Sequence, residues 1–415
     1  MFKIPKREYT AEFKELAVKR VTDGQAIGPV ALYASVGPEL THYDVDAEGA
    51  ALIKRGSVML PANVQEAWQH ASKRFLYVIS SNRVHRGNRT LGDTHHLAAF
   101  RIEPATGALQ AHGTPMALRH RPIHMTTDLP SENVLIAYSN PSGVSVHRIN
   151  RDGTVGEEVV QPGSLDTGIY PHQIRVAPSN RLVILVTRGH DTDGAKAEEP
   201  GALKVFDYKD GLLTNKVSIA PGGGYGFRSR HLDFHPSQPW AYVSLESQNR
   251  LDVFKLDGDT LSPAALFSKD MLIDPGNVRG RQHAGTVHVH PNGRLVYAAN
   301  RADTTVEFEG KQVFIGGENN IPVYAINQST GEPTLIQHED TRGSYPRTFC
   351  IDPSGRILVA ANQAPLLVRD GNSIRILPAS LAVFRIGGDG KLEYVRKYDV
   401  EVRGQDMFWM GIVAL

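Results

Sequence analysis

The sequence predicts an all-β chain: a seven-bladed β-propeller of four-stranded antiparallel blades, its ring closed by pairing the C-terminal strand with the N-terminal blade. Three observations carry that expectation. A turn-and-strand unit recurs along the 415 residues. Each unit contains short segments in which apolar and polar residues alternate. One unit is cut in two, with its parts at opposite ends of the chain.

Residues 28–415 are assigned to the propeller and residues 1–27 to a leader outside it, helical or disordered. Within the leader, KREYTAEFKELAVKRVTDGQ reads as a charged amphipathic helix unlike anything downstream. It resembles the opening of the helix-turn-helix segment of insertion-sequence transposases, but no recognition helix follows before VALYASVG. A DNA-binding role is therefore not expected. ALYASVG, HYDVD and AEGAAL then supply the later strands of a blade that lacks its first. Residues 64–118 hold a complete unit, with RFLYVIS, LAAFRI and ATGAL.

Five further units open on a proline-containing turn followed by an apolar run: DLPSENVLIAYSN, APSNRLVILVTRG, HPSQPWAYVSLES, HPNGRLVYAANR and DPSGRILVAANQ. Their prolines, Pro130, Pro178, Pro236, Pro291 and Pro353, are 48 to 62 residues apart, a period that marks propellers and solenoids. A second alternating segment follows in each (VSVHRI, LKVFDY, LDVFKL, PVYAI, LAVFRI), and then a turn centred on glycine. Alternation with period two is the mark of a half-buried strand, and glycine supplies the positive φ of a tight hairpin. The chain ends on MFWMGIVAL, a strand without a successor. Joined to the N-terminal part it makes a seventh blade and removes two exposed sheet edges.

Composition excludes several alternatives. The 45 basic and 44 acidic residues leave a formal charge of +1, which gives no general attraction to nucleic acid or an acidic membrane. A single cysteine, Cys350 in TFCID, rules out an internal disulfide and a Cys-based zinc site, and reads as a small buried hydrophobe. No apolar run is long enough to span a bilayer, and no apolar signal core follows the basic N-terminus, so the cytoplasm is expected. The expected state is a monomer or weak homo-oligomer. No metal or other cofactor is expected: there is no H-E-x-x-H and no G-x-S-x-G, and the Gly-rich GGGYGF and GGEN lack a strand-to-helix context.

Repeats allow equivalent positions to be compared. Six residues before each turn proline stand His124, His172, Arg230, Gly285 and Arg347. The end of the following strand carries Ser81, Asn140, Arg188, Glu246, Arg301 and Gln363. Chemistry that differs between blades at one position is not required by the blade itself. In a propeller the first strand lines the axis, and its near end shares a face with the exit of the second strand. These residues are therefore expected to ring one mouth of the central channel. Strand ends also meet water and are polar for that reason alone. Solvated ends favour Lys, Ser, Asp and Asn, however, whereas these positions hold several arginines, the residue suited to bidentate carboxylate or phosphate recognition. Of Arg230 and His231, adjacent on one strand, one is expected to face the axis and the other to pack. His235 and His290 belong to the HP turns and read as structural. His190 and Asp191 sit in a Gly-rich polar loop that is preferred to a metal site.

With YPHQIRVAP, SRHLDFHPSQPWAYVSLE, HVHPNGRLVYAANR and YPRTFCIDPSGRILVAANQ in order, residues 28–415 resemble the lactonase family of seven-bladed propellers, which includes the propeller-type bacterial 6-phosphogluconolactonase and the fungal carboxymuconate cyclase. The resemblance places the family's catalytic His, Arg, Glu and second Arg on His172, Arg230, Glu246 and Arg301. Two segments depart from the family pattern: TRGHD puts Arg188 at the mouth, and 306–320 looks like an insertion between two strands of one blade. Three readings follow. The first is a hydrolase opening a sugar lactone, with His172 or Glu246 as base, Arg230 and Arg301 as oxyanion holders, and Arg347, His124, Arg188, Gln363, Asn140 and His231 binding a small anionic lactone or carboxylate. The second is a cyclase or isomerase of a muconate-like acid using the same residues. The third is a propeller that binds a ligand without turnover.

Overall fold

The computed structural model describes residues 29–83, 90 and 92–415; the leader assigned to residues 1–27 lies outside the described residues. Seven four-stranded antiparallel sheets stand around one axis as a seven-bladed β-propeller, two of them with an additional short strand. We number the blades by their innermost strands: Asn63–Gln69, Pro122–Thr127, Pro171–Val176, Ser229–Phe234, Gln282–Val289, Pro346–Ile351 and, for blade 7, Met410–Ala414. Blade 7 is completed by Val30–Val36, Glu39–Asp46 and Ala51–Met59, and Met410 pairs with Ala34 to close the ring. Among the described residues the one helical element is the short 3-10 turn Pro221–Gly224.

Alternation along the strands buries side chains between neighbouring blades. The result is a hydrophobic cluster at each of the seven blade interfaces. Leu32 and Ala34 of blade 7 pack with Val359 and Ala361 of blade 6, and Ala31 and Tyr33 pack with Val64 and Leu76 of blade 1. One cross-blade bond recurs. The hydroxyls of Tyr77 and Tyr242 donate to the carbonyls of Gly153 (3.0 Å) and Gly331 (2.9 Å) in the outer hairpin of the next blade. Both glycines have φ between 80° and 88°, and a Cβ on either would fall within 2.6 Å of Phe75 or Trp240. The HP histidines brace turns in the same way: His235 and His290 reach the carbonyls of Gly293 and Gly355 at 2.7 and 2.9 Å.

Two hairpins are added to the blade pattern, each leaving the exit of a second strand. Thr305–Phe308 with Lys311–Phe314 belongs to blade 5, where the sequence points to an insertion, and Leu366–Asp370 with Ser373–Leu377 belongs to blade 6. They touch where Arg369 lies 4.6 Å from the ring centre of Phe308.

Candidate active site

The innermost strands share an irregularity that builds the channel. In six blades the pairing with the second strand slips at one place, leaving Gln65, Ile123, His172, Arg230, Gly285 with Thr286, and Arg347 outside the register. A bulge breaks the in–out alternation of a strand and re-aims the side chain it carries. In blades 2, 3, 4 and 6 the bulged residue lines one axial cavity and the residue after it a second.

The first cavity opens as a mouth of about 460 Å³. His172, Arg230, Glu246, Arg301, Arg347, Arg188 and Gln363 all line it. Five of the expected residues do not. Ser81 is buried in the second strand of blade 1, where its hydroxyl meets His95 Nδ1 at 2.9 Å, and Gly285 presents no side chain. His124 and His231 line a second cavity further along the axis. For His231 the reason is the bulge at Arg230, which lets both neighbours face the channel instead of sending one into the core. For His124 the reason is a one-residue offset: Pro130 stands three residues beyond the last paired residue, Thr127, whereas Pro178 stands two beyond Val176. His124 is thus the equivalent of Gln173, and Ile123 is the blade-2 counterpart of His172. Asn140 is exposed because blade 2 turns directly from Ser139 to its partner Ser142, leaving Asn140 at the hairpin tip.

Glu246 is the electrostatic centre of the mouth. Arg230 Nε approaches its Oε1 at 3.0 Å, while Arg301 Nη2 binds the same oxygen and Arg188 Nε the other. Burial opposes ionisation of Glu246, but Arg188, Arg301 and Arg230 outweigh it and hold the carboxyl well below its usual range. Arg301 also donates to the Tyr345 hydroxyl at 3.0 Å and stacks on that ring. The Asp191 carboxylate fixes Arg188 (2.7 Å) and Arg228 (2.8 Å), so the RGHD loop serves as an anchor for arginines.

His172 has a different environment. It is 7% exposed, its ring lies 5.1 Å from that of His231, and its Nδ1 is buried without a partner. Burial, then Arg230, push its pKa well below the usual histidine value. At neutral pH it is an uncharged imidazole able to accept a proton. Seven arginines and three carboxylates line the mouth, so a net positive field faces any entering molecule. Arg347 stacks on Phe408 at 3.7 Å, and burial, then Arg301, lower it to about 10, still a cation at neutral pH.

Sequence reasoning missed Arg83, Arg121, Tyr170, Arg281, His283 and Tyr345. Tyr170 and Tyr345 had a signal: each precedes a proline and then the bulged residue, in YPH and YPR. Both have positive φ, 55° and 52°, uncommon for an aromatic residue. Burial would raise the Tyr170 phenol, but Arg121 and Arg83 bring it below its usual value. Arg121, which donates to Gln65 Oε1 at 2.9 Å, comes from the loop between blades, where repeat comparison has no reference position. A cavity of about 790 Å³ lies away from the axis against the outer strands of blade 7 and the turn at 105–109 of blade 1. Its charged lining is one neighbouring set, His42, Asp44 and Arg55. The smaller axial mouth has the convergent polar groups typical of a small-molecule site.

Fold and mouth together define a closed propeller with an anion-receptive axial pocket. The chain belongs to the lactonase, 7-bladed β-propeller family, whose model matches residues 30–369. It is 27% identical over 370 residues to the 6-phosphogluconolactonase of Bacillus subtilis (strain 168), covering 86% of this chain and 95% of that one. It is 26% identical over 378 residues to the 6-phosphogluconolactonase of Klebsiella pneumoniae (strain 342), covering 90% and 95%. Among solved structures, the periplasmic gluconolactonase of Pseudomonas aeruginosa superposes with a TM-score of 0.65 at 18% identity, over 93% of this chain and 99% of that one.

Proposed function

We propose that this protein is a hydrolase that opens a sugar lactone bearing an anionic substituent, at the channel mouth and without a metal. The observation that carries the reading is the division of labour in the mouth: a neutral imidazole whose Nδ1 makes no hydrogen bond, beside arginines already held in place by one carboxylate. The names of the relatives support the same class of substrate.

In this reading His172 takes a proton from water as the oxygen attacks the lactone carbonyl carbon. Negative charge collects on the carbonyl oxygen, where Arg230 and Arg301 stabilise it; fixed donors in a partly dry site supply several kcal/mol of such stabilisation. The ring C–O bond then breaks, and His172 returns the proton to the departing alkoxide, giving the open hydroxy acid. Glu246 is a poor base because three guanidiniums stabilise its anion; it sets the arginines in position. Arg347 and Arg121 receive the phosphate or carboxylate of the substrate, and Arg188 and Gln363 complete the wall.

The test is a panel of 6-phosphogluconolactone, gluconolactone, glucuronolactone and a carboxymuconate, with acid release followed directly. Faster turnover of the anionic sugar lactones is the expected result. Consumption of the muconate with no lactone turnover overturns the reading in favour of a cyclase.

A further inference from the structure

We propose that the far end of the channel holds a second binding site, for a small organic monocarboxylate with an apolar or aromatic body. This goes beyond the reading of the mouth and does not depend on it. The second cavity has a volume of about 320 Å³ and shares no lining residue with the mouth. Between them stand three imidazoles: His172 lies 5.1 Å from His231, which lies 6.0 Å from His124.

One wall of this chamber is apolar, with Trp68, Trp409, Met410 and Ile412. Against it, with Arg175 lying over the Trp68 ring at 5.3 Å, sits charge that does not balance. The Asp233 carboxylate faces two cations, Arg175 at 3.0 Å and His288 at 3.7 Å. Burial alone would lower His288, but its hydrogen bonds to Asp233 and then to Cys350, with the charge of Asp233, raise it to about 9, so it is charged at neutral pH. Asp233 is further occupied by the backbone N–H groups of Phe234 (3.1 Å) and Val289 (2.9 Å). Glu66 adds no negative charge at neutral pH, because burial raises its carboxyl to about 8. One positive charge is therefore left over, and a single carboxylate neutralises it.

Polar groups at hand suit that occupant. Thr348 Oγ1 and His124 Nδ1 are buried without partners, and His124 is 5% exposed. Gln173 commits its Oε1 to the Leu232 N–H at 2.6 Å, which leaves its amide nitrogen for the chamber. A hydroxyl, an amide N–H and the protonated Glu66 are donors, which is what a carboxylate requires. Among the described residues no three His, Cys, Asp or Glu side chains are grouped so as to hold a metal ion.

The experiment titrates the full chain with benzoate, followed by ligand-observed NMR, with benzamide as the neutral analogue. Benzoate is expected to bind at least tenfold more tightly than benzamide. His288→Gln is expected to weaken benzoate at least tenfold, and Ile412→Trp, which fills the chamber while leaving every charge in place, to abolish binding. Arg301→Gln in the mouth is expected to leave benzoate binding unchanged. Absence of benzoate binding to the unaltered protein overturns the proposal, as does binding that survives Ile412→Trp or is lost through Arg301→Gln in a folded protein. Where His288→Gln fails to fold, Ile412→Trp decides.

Discussion

Arg230 Nε and Glu246 Oε1 lie 3.0 Å apart with side chains 1% and 10% exposed, and Arg188 and Arg301 bind the same carboxylate. Glu246→Gln would leave three guanidiniums crowded around a neutral amide. Removing one partner of a buried ion pair costs about 3–5 kcal/mol because a charge is left uncompensated. A loss of that size is expected in urea unfolding, together with loss of turnover. Adding Arg230→Met removes one surplus cation, so the double variant is expected to be more stable than Glu246→Gln. A single variant that unfolds at the wild-type urea concentration would show that the cluster is not held by its central charge.

His172 gives the opposite pattern. Its ring is kept neutral by burial and by Arg230, and its Nδ1 makes no bond, so at neutral pH its replacement breaks no ion pair and no Nδ1 hydrogen bond. His172→Asn is expected to lower turnover by about 10²–10⁴-fold, the usual contribution of a general base, with unfolding unchanged or slightly improved. In the wild type the base form persists to well below the ordinary histidine pKa of about 6.5. The kcat/KM profile is therefore expected to be flat from pH 8 down past pH 6.5, falling only at lower pH. A midpoint near 6.5 would place the proton on another group.

The blades and their closure were legible because they rest on local rules repeated many times: alternation, glycine hairpins and the orphan strand Met410–Ala414. The residues of the mouth were legible where the repeat register was right, as for His172 and Arg230. It failed at His124, where Pro130 shifts by one position in its turn, and a one-residue slip moves a side chain to another place. Bulges were invisible, since nothing in Ser229–Phe234 announces that Arg230 leaves the ladder. Of the two added hairpins, the one at 305–314 showed as a break in the pattern, while Leu366–Leu377 reads like ordinary strand sequence. Arg83 follows the second strand of blade 1 and Arg121 comes from the loop between blades 1 and 2, and only the closed ring brings them to the axis.

Gly285 is the position on the innermost strand of blade 5 where the neighbouring blades carry Arg230 and Arg347. A Cβ there would lie 3.1 Å from the Ala299 Cβ and 3.4 Å from Arg301 Nε. The bare backbone leaves room for Arg301 to lie across the mouth, where its Nη2 donates to the Ala284 carbonyl at 3.1 Å. Gly285→Val is expected to displace that guanidinium and to destabilise by about 1–3 kcal/mol, the usual cost of overpacking. Turnover should fall more than KM rises, since Arg301 is assigned to the oxyanion. Wild-type kcat in the folded variant would remove Arg301 from that role.

Stability is expected to peak near pH 6.5 and to fall on both sides. His124, His172 and His231 are all held well below their unfolded value, by burial first and then by nearby arginines. Their contribution is fully present above about pH 6.5 and is lost as the pH falls toward the folded values, because the unfolded chain binds protons that the folded one refuses. Glu66 and His288 have the opposite sign, raised to about 8 and about 9. What they contribute is fully present below their unfolded values and is lost as the pH rises through 8 and 9, where the unfolded chain has already released its protons. Urea midpoints between pH 5 and pH 10 measure both limbs. Replacing Glu66 with Gln, which cannot titrate, is expected to flatten the alkaline limb while leaving the acid limb in place. An unchanged alkaline limb in that variant would mean that Glu66 is ionised in the folded channel.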